Sequence, residues 1–409
     1  MNASAKAEPD IIMLSLARPD QPMASASLAL AAELARRQRV FYIEHPFSLK
    51  DVIREFGKPH VKIRRKALML RRGVYRQLPA YPEQLRIVTP PVTLPINVIS
   101  PGRAYNYLSE RNNQLIFGCI RGIIKEFGIS EWIYVNSFDP FFAQRIPQYI
   151  KPVLQIYQCL DDIAEVPYTA RHGVRLEQEI ARNSDFCISS STALRKQNEA
   201  FNARSYLFPN ASDPDLFEPV ARNPEQLPSV PELEDIPGPV IGFTGSLEYR
   251  SDYALIDRIA RHYSDKQLVF VGPLRTKEMH DRGIADLPNV HLLPSRDIRE
   301  LPACVKYMDV MIIPYKKNKL THSIYPLKIN EYLAAGKPVV ATNFSPDIEG
   351  FGDVANIARN DDEFIQMIDR ALKNDDAQQQ QQRMARARQN SWVARAKTFH
   401  ELVEKHLPA

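Results

Sequence analysis

The chain has 409 residues, of which 44% are hydrophobic and 25% charged. That is long for a single core and ample for two domains, and it excludes disorder along the whole chain. A formal net charge of +5 fits an anionic substrate or a membrane surface, but it is too weak to argue for nucleic acid, and no nucleic-acid partner is expected. Cys119, Cys159, Cys187 and Cys304 stand at no metal-ligand spacing, so they read as buried, reduced thiols, with no metal site. The polar stretch Met1 to Asp10 has no signal-peptide core. No window offers the ~18 uninterrupted apolar residues of a spanning helix. A cytoplasmic chain with at most peripheral membrane contact is expected.

In chain order, Ile11 to Leu16 is a short apolar run of the kind that forms a buried parallel strand. Pro19 and Pro22 mark a loop. Ser25 or Ser27 can cap a helix through Leu28, Leu30, Ala31, Leu34 and Ala35, and Val40 to Ile43 is the next strand. Further strands are predicted at 132–135, 153–157, 186–189 and 206–208, with a helix from about Thr192. Six prolines between Pro219 and Pro239 read as a linker. Strands resume at 240–243, 268–271, 290–293, 310–313 and 339–342. Helices are predicted over 328–335 and 361–372, and Ser391 can cap a last one. The Gln378 to Gln382 run reads as solvated. Strand–helix alternation in both halves predicts an α/β chain with two parallel-sheet domains. These are 1–218, a proline-rich linker 219–239, 240–388, and a C-terminal helix 389–409 that could cross back to the first domain.

Four stretches carry a family resemblance: Leu207 to Phe217, Ile241 to Ser246, Asn289 to Pro294, and Tyr325 to Val340. Their order and spacing resemble the donor half of GT-B glycosyltransferases, specifically retaining, family 4-like enzymes of the bacterial surface-polysaccharide, teichuronic-acid-type subgroup. Tyr157 to Asp162 is similar to a Tyr-Asp-x-x-Asp-Asp stretch of that subgroup. The resemblance implies two Rossmann-like domains facing across a cleft, with acceptor binding in the first and donor binding in the second. It implies a nucleotide-sugar co-substrate, retention of anomeric configuration and no obligatory metal or other cofactor. The family's donor helix carries two glutamates separated by seven residues. Here the second is Glu331, but the first position is Ser323.

The chemistry can be read residue by residue. Lys328 lies on the first turn of a predicted helix, where free N–H groups and the helix dipole favour an anion, so a diphosphate would offset the cost of a cation there. Glu331, three residues on, shares its face and can accept hydrogen bonds from two ribose hydroxyls. Gly245 ends a strand at the sheet edge where α/β folds bind ligands, and it lets backbone approach phosphate closely. Ser246, Arg250 and Arg275 follow strand ends nearby. Leu293 and Pro294 occupy the nucleobase-turn stretch of the resemblance, and His322, Ser323, Ile324 and Tyr325 the donor loop. Asp161 and Asp162 follow an apolar strand and could orient an acceptor hydroxyl or act as a base; a turn with a helix cap is the other reading. Arg18, after the first strand, could meet an anionic acceptor or donor phosphate.

Basic residues crowd 58–76, with Ile63, Ala67, Leu68, Leu70 and Val74 between them. That stretch reads either as a peripheral contact with the inner face of a plasma membrane or as a solvated helix with a core stripe. The expected activity is transfer of a sugar from a UDP-, GDP- or dTDP-linked donor to a glycan or lipid-linked acceptor in polysaccharide or glycoconjugate biosynthesis. A non-catalytic nucleotide-sugar-binding homologue and a GT-B epimerase are the alternatives.

Overall fold

The computed structural model describes residues 8–20, 25–165 and 167–407. The expected loop marker Pro22 and the stretch from Met1 to Ala7 lie outside the described residues. The chain divides into two units.

Unit 1 comprises residues 1–190, 194–208 and 396–409. Its strands are β1 Asp10–Ser15, β2 Val40–Ile43, β3 Tyr75–Arg76, β4 Leu85–Val88, β5 Trp132–Ser137, β6 Leu154–Cys159, β7 Phe186–Ser189 and β8 Ser205–Leu207. They form one sheet in the order β3-β4-β2-β1-β5-β6-β7-β8. It is parallel throughout except for the β3–β4 pair. Residues such as Ile11 to Leu14 are wholly buried, because helices on both faces leave a parallel sheet no solvated side. Its longest helix, Arg103–Phe127, runs 25 residues and ends at Gly128 in the left-handed conformation. Ile116, Phe117, Ile120 and Ile123 bury one stripe of it in the core. The sequence reading placed no element there.

Unit 2 comprises residues 191–193 and 209–395. Its strands are β9 Val240–Thr244, β10 Gln267–Val271, β11 Val290–Leu293, β12 Val310–Ile313, β13 Val339–Thr342 and β14 Asn356–Ala358. All are parallel, in the order β11-β10-β9-β12-β13-β14. Strand order reverses between β9 and β12, and ligands of doubly wound sheets bind beyond the carboxyl ends of strands at such a reversal.

The division corrects the expected boundary, which falls at 208/209 rather than in 219–239. The proline-rich stretch is folded into unit 2. Pro214, Pro219, Pro224 and Pro231 each open a short helix or 3-10 turn, where a missing N–H costs nothing. Phe217, Val220, Val230 and Leu233 enter the core. The last helix, Trp392–His406, passes into unit 1 from Ala396, where His406 stacks on Phe186 at 4.8 Å between ring centroids. The glutamine run is helical, within Ala377–Gln389. All four cysteines are buried and free.

Candidate functional site

The helix Leu327–Ala334 follows Pro326. Its inner face is fixed by Tyr332, a wholly buried residue. The Tyr332 hydroxyl accepts from the Thr244 N–H at 2.9 Å and donates to the Thr244 carbonyl at 3.3 Å. That bond ties the helix to the last residue of β9. Lys328 lies one turn before Tyr332 on the same face, so its ammonium is carried onto the next residue, Gly245. A Cβ on Gly245 would lie 2.4 Å from both Cε and Nζ of Lys328. A side chain there would push the flexible end of Lys328 aside, and the φ of +119° itself favours glycine.

The neighbouring strand end needs glycine too. Gly272 after β10 has φ +152°, and a Cβ on it would lie 2.2 Å from the Gly245 carbonyl oxygen. Gly245 in turn donates to the Val271 carbonyl at 2.7 Å. The loop is thus bare backbone with a lysine across it.

Glu331 is 5% exposed. Burial pushes its carboxyl above the usual range, and Lys328 pulls it partway back. No group among the described residues donates to this carboxylate, and its oxygens are not fully enclosed, so they are open to a ligand. Asn330, beside it, donates to the Asn210 carbonyl at 3.3 Å, and Asn210 donates to the Tyr325 carbonyl at 3.5 Å. The 207–217 stretch therefore braces the segment that leads into the helix.

The structure brings Gly245, Lys328 and Glu331 together, and the other expected donor residues stand as follows. Ser246 follows Gly245 directly. The Arg250 guanidinium is paired with Glu248 and lies 6.0 Å from the Tyr315 ring centroid. Arg275 is exposed. Leu293, which is buried, ends the edge strand β11, two strands out from β9, and Pro294, which is exposed, follows it. His322 is exposed. The Ser323 hydroxyl donates to the Leu320 carbonyl at 2.8 Å, so it is spent on its own turn. Ile324 and Tyr325 are buried, and the Tyr325 phenol is pushed up to about 12 by burial. A separate cavity in unit 2, of about 540 Å³, is lined by Asp252, Lys316, Lys317 and Arg359 among others and contains none of Gly245, Lys328 or Glu331.

In unit 1, the Asp162 carboxylate accepts from the Ala164 N–H at 2.9 Å and from Gln197 at 3.4 Å. It makes the turn and cap that was the alternative reading. Asp161 is exposed. Arg18 donates to the carbonyls of His45 and Pro46, both at 3.0 Å, and lies 3.6 Å over the Phe47 ring, so it braces a loop.

The basic stretch is not one solvated face. Arg64 is buried, donating to Glu44 at 2.7 Å and to Asp20 at 2.9 Å. Arg76 reaches Glu44 at 3.2 Å, and Arg71 donates to the Thr89 carbonyl at 3.2 Å. Ala67 and Leu68 are buried.

Two features of unit 1 were not foreseen. The Glu177 carboxyl accepts from the Tyr157 hydroxyl at 2.6 Å and the Cys159 thiol at 3.2 Å, and burial raises it to about 7 against those two bonds. His45 Nδ1 is bonded to the fully buried Asp139 at 2.7 Å. The two residues follow β2 and β5 at the carboxyl edge of the sheet, and such a pair can polarise a hydroxyl. Neither feature has a local motif, because the partners are 94 residues apart for His45 and Asp139 and 20 for Tyr157 and Glu177.

Two parallel-sheet units, one with a glycine-lined strand end under a lysine-bearing helix, define the GT-B class of fold. Residues 238–374, within unit 2, match the family model for glycosyl transferases group 1. The chain is 29% identical over 203 residues to TuaH of Bacillus subtilis (strain 168), a protein named for teichuronic acid biosynthesis as a glycosyltransferase. The match covers 46% of this chain and 50% of that protein, so the chain spans about half the length of this curated relative.

Among solved structures, the Escherichia coli trehalose-6-phosphate protein bound with UDP-2-fluoro glucose is similar, with a TM-score of 0.67 and 11% identity over 98% of this chain and 99% of that one. An α,α-trehalose-phosphate synthase (UDP-forming) from Burkholderia xenovorans, in complex with glucose-6-phosphate, gives a TM-score of 0.68 and 12% identity over 97% and 100%. Sucrose-phosphate synthase from Thermosynechococcus elongatus gives 0.63 and 14% over 97% and 99%. At these identities the likeness concerns the fold.

Proposed function

We propose that this chain is a retaining glycosyltransferase. In this reading it moves a sugar from a nucleoside diphosphate to a hydroxyl of a glycan or lipid-linked glycan during polysaccharide biosynthesis. The observation that carries the reading is the Lys328 ammonium held over Gly245, with a buried, unbonded Glu331 carboxylate one turn along the same helix. The diphosphate would lie against the Gly245 backbone and the first turn of Leu327–Ala334, with Lys328 as its counter-ion. The Glu331 carboxylate would take two ribose hydroxyls. As the sugar–phosphate bond breaks, charge grows on the leaving diphosphate, and the lysine and helix N–H groups stabilise it where it grows. No obligatory metal is assigned a part.

The acceptor hydroxyl would be met in unit 1, where Asp161 and the His45–Asp139 pair are the groups able to orient it or take its proton. A lipid-linked acceptor is met at a membrane surface, so a peripheral contact by the basic region of unit 1 belongs to the same reading. The solved neighbours bound to UDP-2-fluoro glucose and to glucose-6-phosphate are consistent with a nucleotide-sugar donor and a sugar acceptor.

The test is thermal stabilisation by a panel of UDP-, GDP- and dTDP-sugars, followed by transfer assays. One nucleotide class is expected to raise the melting temperature, since a ligand that binds only the fold stabilises it by mass action. Glu331→Ala should abolish that shift, and excess chelator should leave turnover unchanged. An unaltered shift in the variant would remove Glu331 from the site.

A second reading rests on Ser323, whose hydroxyl is bonded to its own helix where the resemblance has a carboxylate. A chain stabilised by a nucleotide sugar that neither transfers nor hydrolyses it would be a non-catalytic binder.

A further inference from the structure

Unit 1 exposes large apolar side chains in one stretch of chain. Leu49 is 52% exposed, Ile53 70%, Phe56 44%, Ile63 55%, Met69 60% and Leu70 63%. They lie on or next to three short helices, Leu49–Glu55, Pro59–Lys62 and Arg65–Leu70. The inner sides of those helices share one small core, formed by Val52, Val61 and Leu68 with Phe47. The three helices therefore form one layer, and the exposed residues are what that layer leaves uncovered. Leu49, Ile53 and Phe56 recur at i, i+4 and i+7, a single stripe. Arg65, at the start of the third helix, lies 4.7 Å over the Phe56 ring, which joins the first helix to the third on the outer side.

The charge around this apolar stripe is one-sided. Residues 49–72 contain nine Lys and Arg against Asp51 and Glu55, and both acids are occupied. Asp51 closes the capping box with Ser48, and Glu55 is bonded to His60 and Arg54. Lys50, Lys62, Lys66 and Arg72 are exposed and make no ion pair among the described residues. A second copy of so basic a surface would be repelled, whereas an anionic bilayer offers both an apolar phase and negative headgroups.

We propose that the outer face of these three helices is a docking surface for an anionic lipid bilayer, with Ile53, Ile63, Met69 and Leu70 entering the headgroup–acyl boundary and Lys62, Lys66 and Arg72 held on phosphates. The stems of those cations lie along the apolar residues while their heads reach the headgroups. Apart from Ile53, the surface falls within the basic run 58–76, but it excludes Arg64 and Arg76, which are consumed by Glu44. The proposal rests on the reading of a membrane-borne acceptor, but its test is independent of transfer.

The experiment is co-sedimentation of the full chain with vesicles of phosphatidylglycerol and phosphatidylcholine, and with phosphatidylcholine alone. Binding is expected to the mixed vesicles, weakening with salt, and not to the neutral ones. The triple variant Lys62→Ala, Lys66→Ala, Arg72→Ala should bind at least tenfold more weakly, since each removed charge is worth about fivefold. The triple variant Ile53→Ser, Met69→Ser, Leu70→Ser should also lose at least tenfold, and unchanged circular dichroism will establish that both variants are folded. No binding to mixed vesicles, or undiminished binding by the serine variant, overturns the proposal. So does a concentration-dependent dimer that the serine variant abolishes. If no nucleotide sugar stabilises the chain while the vesicle results stand, the donor reading fails and the docking surface does not.

Discussion

Gly245 and Glu331 set the strictest local demands. At Gly245 any side chain would both occupy a φ that L residues avoid and displace the Lys328 amine 2.4 Å away. Gly245→Ala is expected to cost about 1–3 kcal/mol of stability and at least tenfold in donor affinity, read by denaturant titration and by ligand-dependent melting. Glu331 makes donor binding depend on pH. Its carboxyl sits above the ordinary carboxylate value of about 4.3 because burial disfavours its charge. Ribose hydroxyls donate to the ionised form, so donor affinity should rise as pH rises through the elevated value and level off above it. The sign for the empty fold is opposite. A raised carboxyl favours the fold most below the unfolded value, and that stability is lost as pH rises through the folded one. Glu331→Gln should flatten the pH dependence of the donor-induced melting shift; a slope that survives the substitution would assign it to another group.

At the scale of elements, the helix Leu327–Ala334 is useful because it is pinned. Its apolar residues Ile329 and Leu333 are wholly buried, and Tyr332 bonds both backbone groups of Thr244. Tyr332→Phe keeps the ring and removes the bond, leaving the Thr244 N–H buried without that partner. A loss of about 1–2 kcal/mol is expected, with a fall in donor affinity as Lys328 loses its placement over Gly245. Equal affinity in the variant would mean that packing alone positions the helix. The sequence pattern made this element legible: one turn of charged residues, an apolar interior, and the stop at Gly336. The apolar runs of β2, β7, β11, β12 and β13 were legible for the same reason. The 25-residue helix Arg103–Phe127 was not, because the face it buries is polar in its first half, at Ser109, Asn112 and Asn113, and continuously apolar only from Ile116 on. The short strands β3, β4 and β14 were also missed; two to four residues carry too little pattern to register.

At the scale of the molecule, each unit has a core of its own, and the last helix contributes the buried Phe399 and Val403 to unit 1. Calorimetry is expected to resolve two components. A bound nucleotide sugar should raise only the one belonging to unit 2, and Phe399→Ala should lower the other by about 3–5 kcal/mol. A single transition moved equally by both perturbations would contradict this. Periodicity alone dictated the alternation of strands and helices and the two sheets, whereas the glycine, lysine and glutamate of the candidate site were singled out with the help of the family resemblance. The sequence reading misplaced the domain boundary, since prolines that punctuate a linker also open helices, and only packing separates the two. Tertiary structure alone decided which cations were spent on Glu44, that Ser323 and Asp162 serve their own turns, and that Glu177 and the His45–Asp139 pair exist as units. Each of those depends on which distant residue lies within hydrogen-bonding reach and on how much water the fold removes around it.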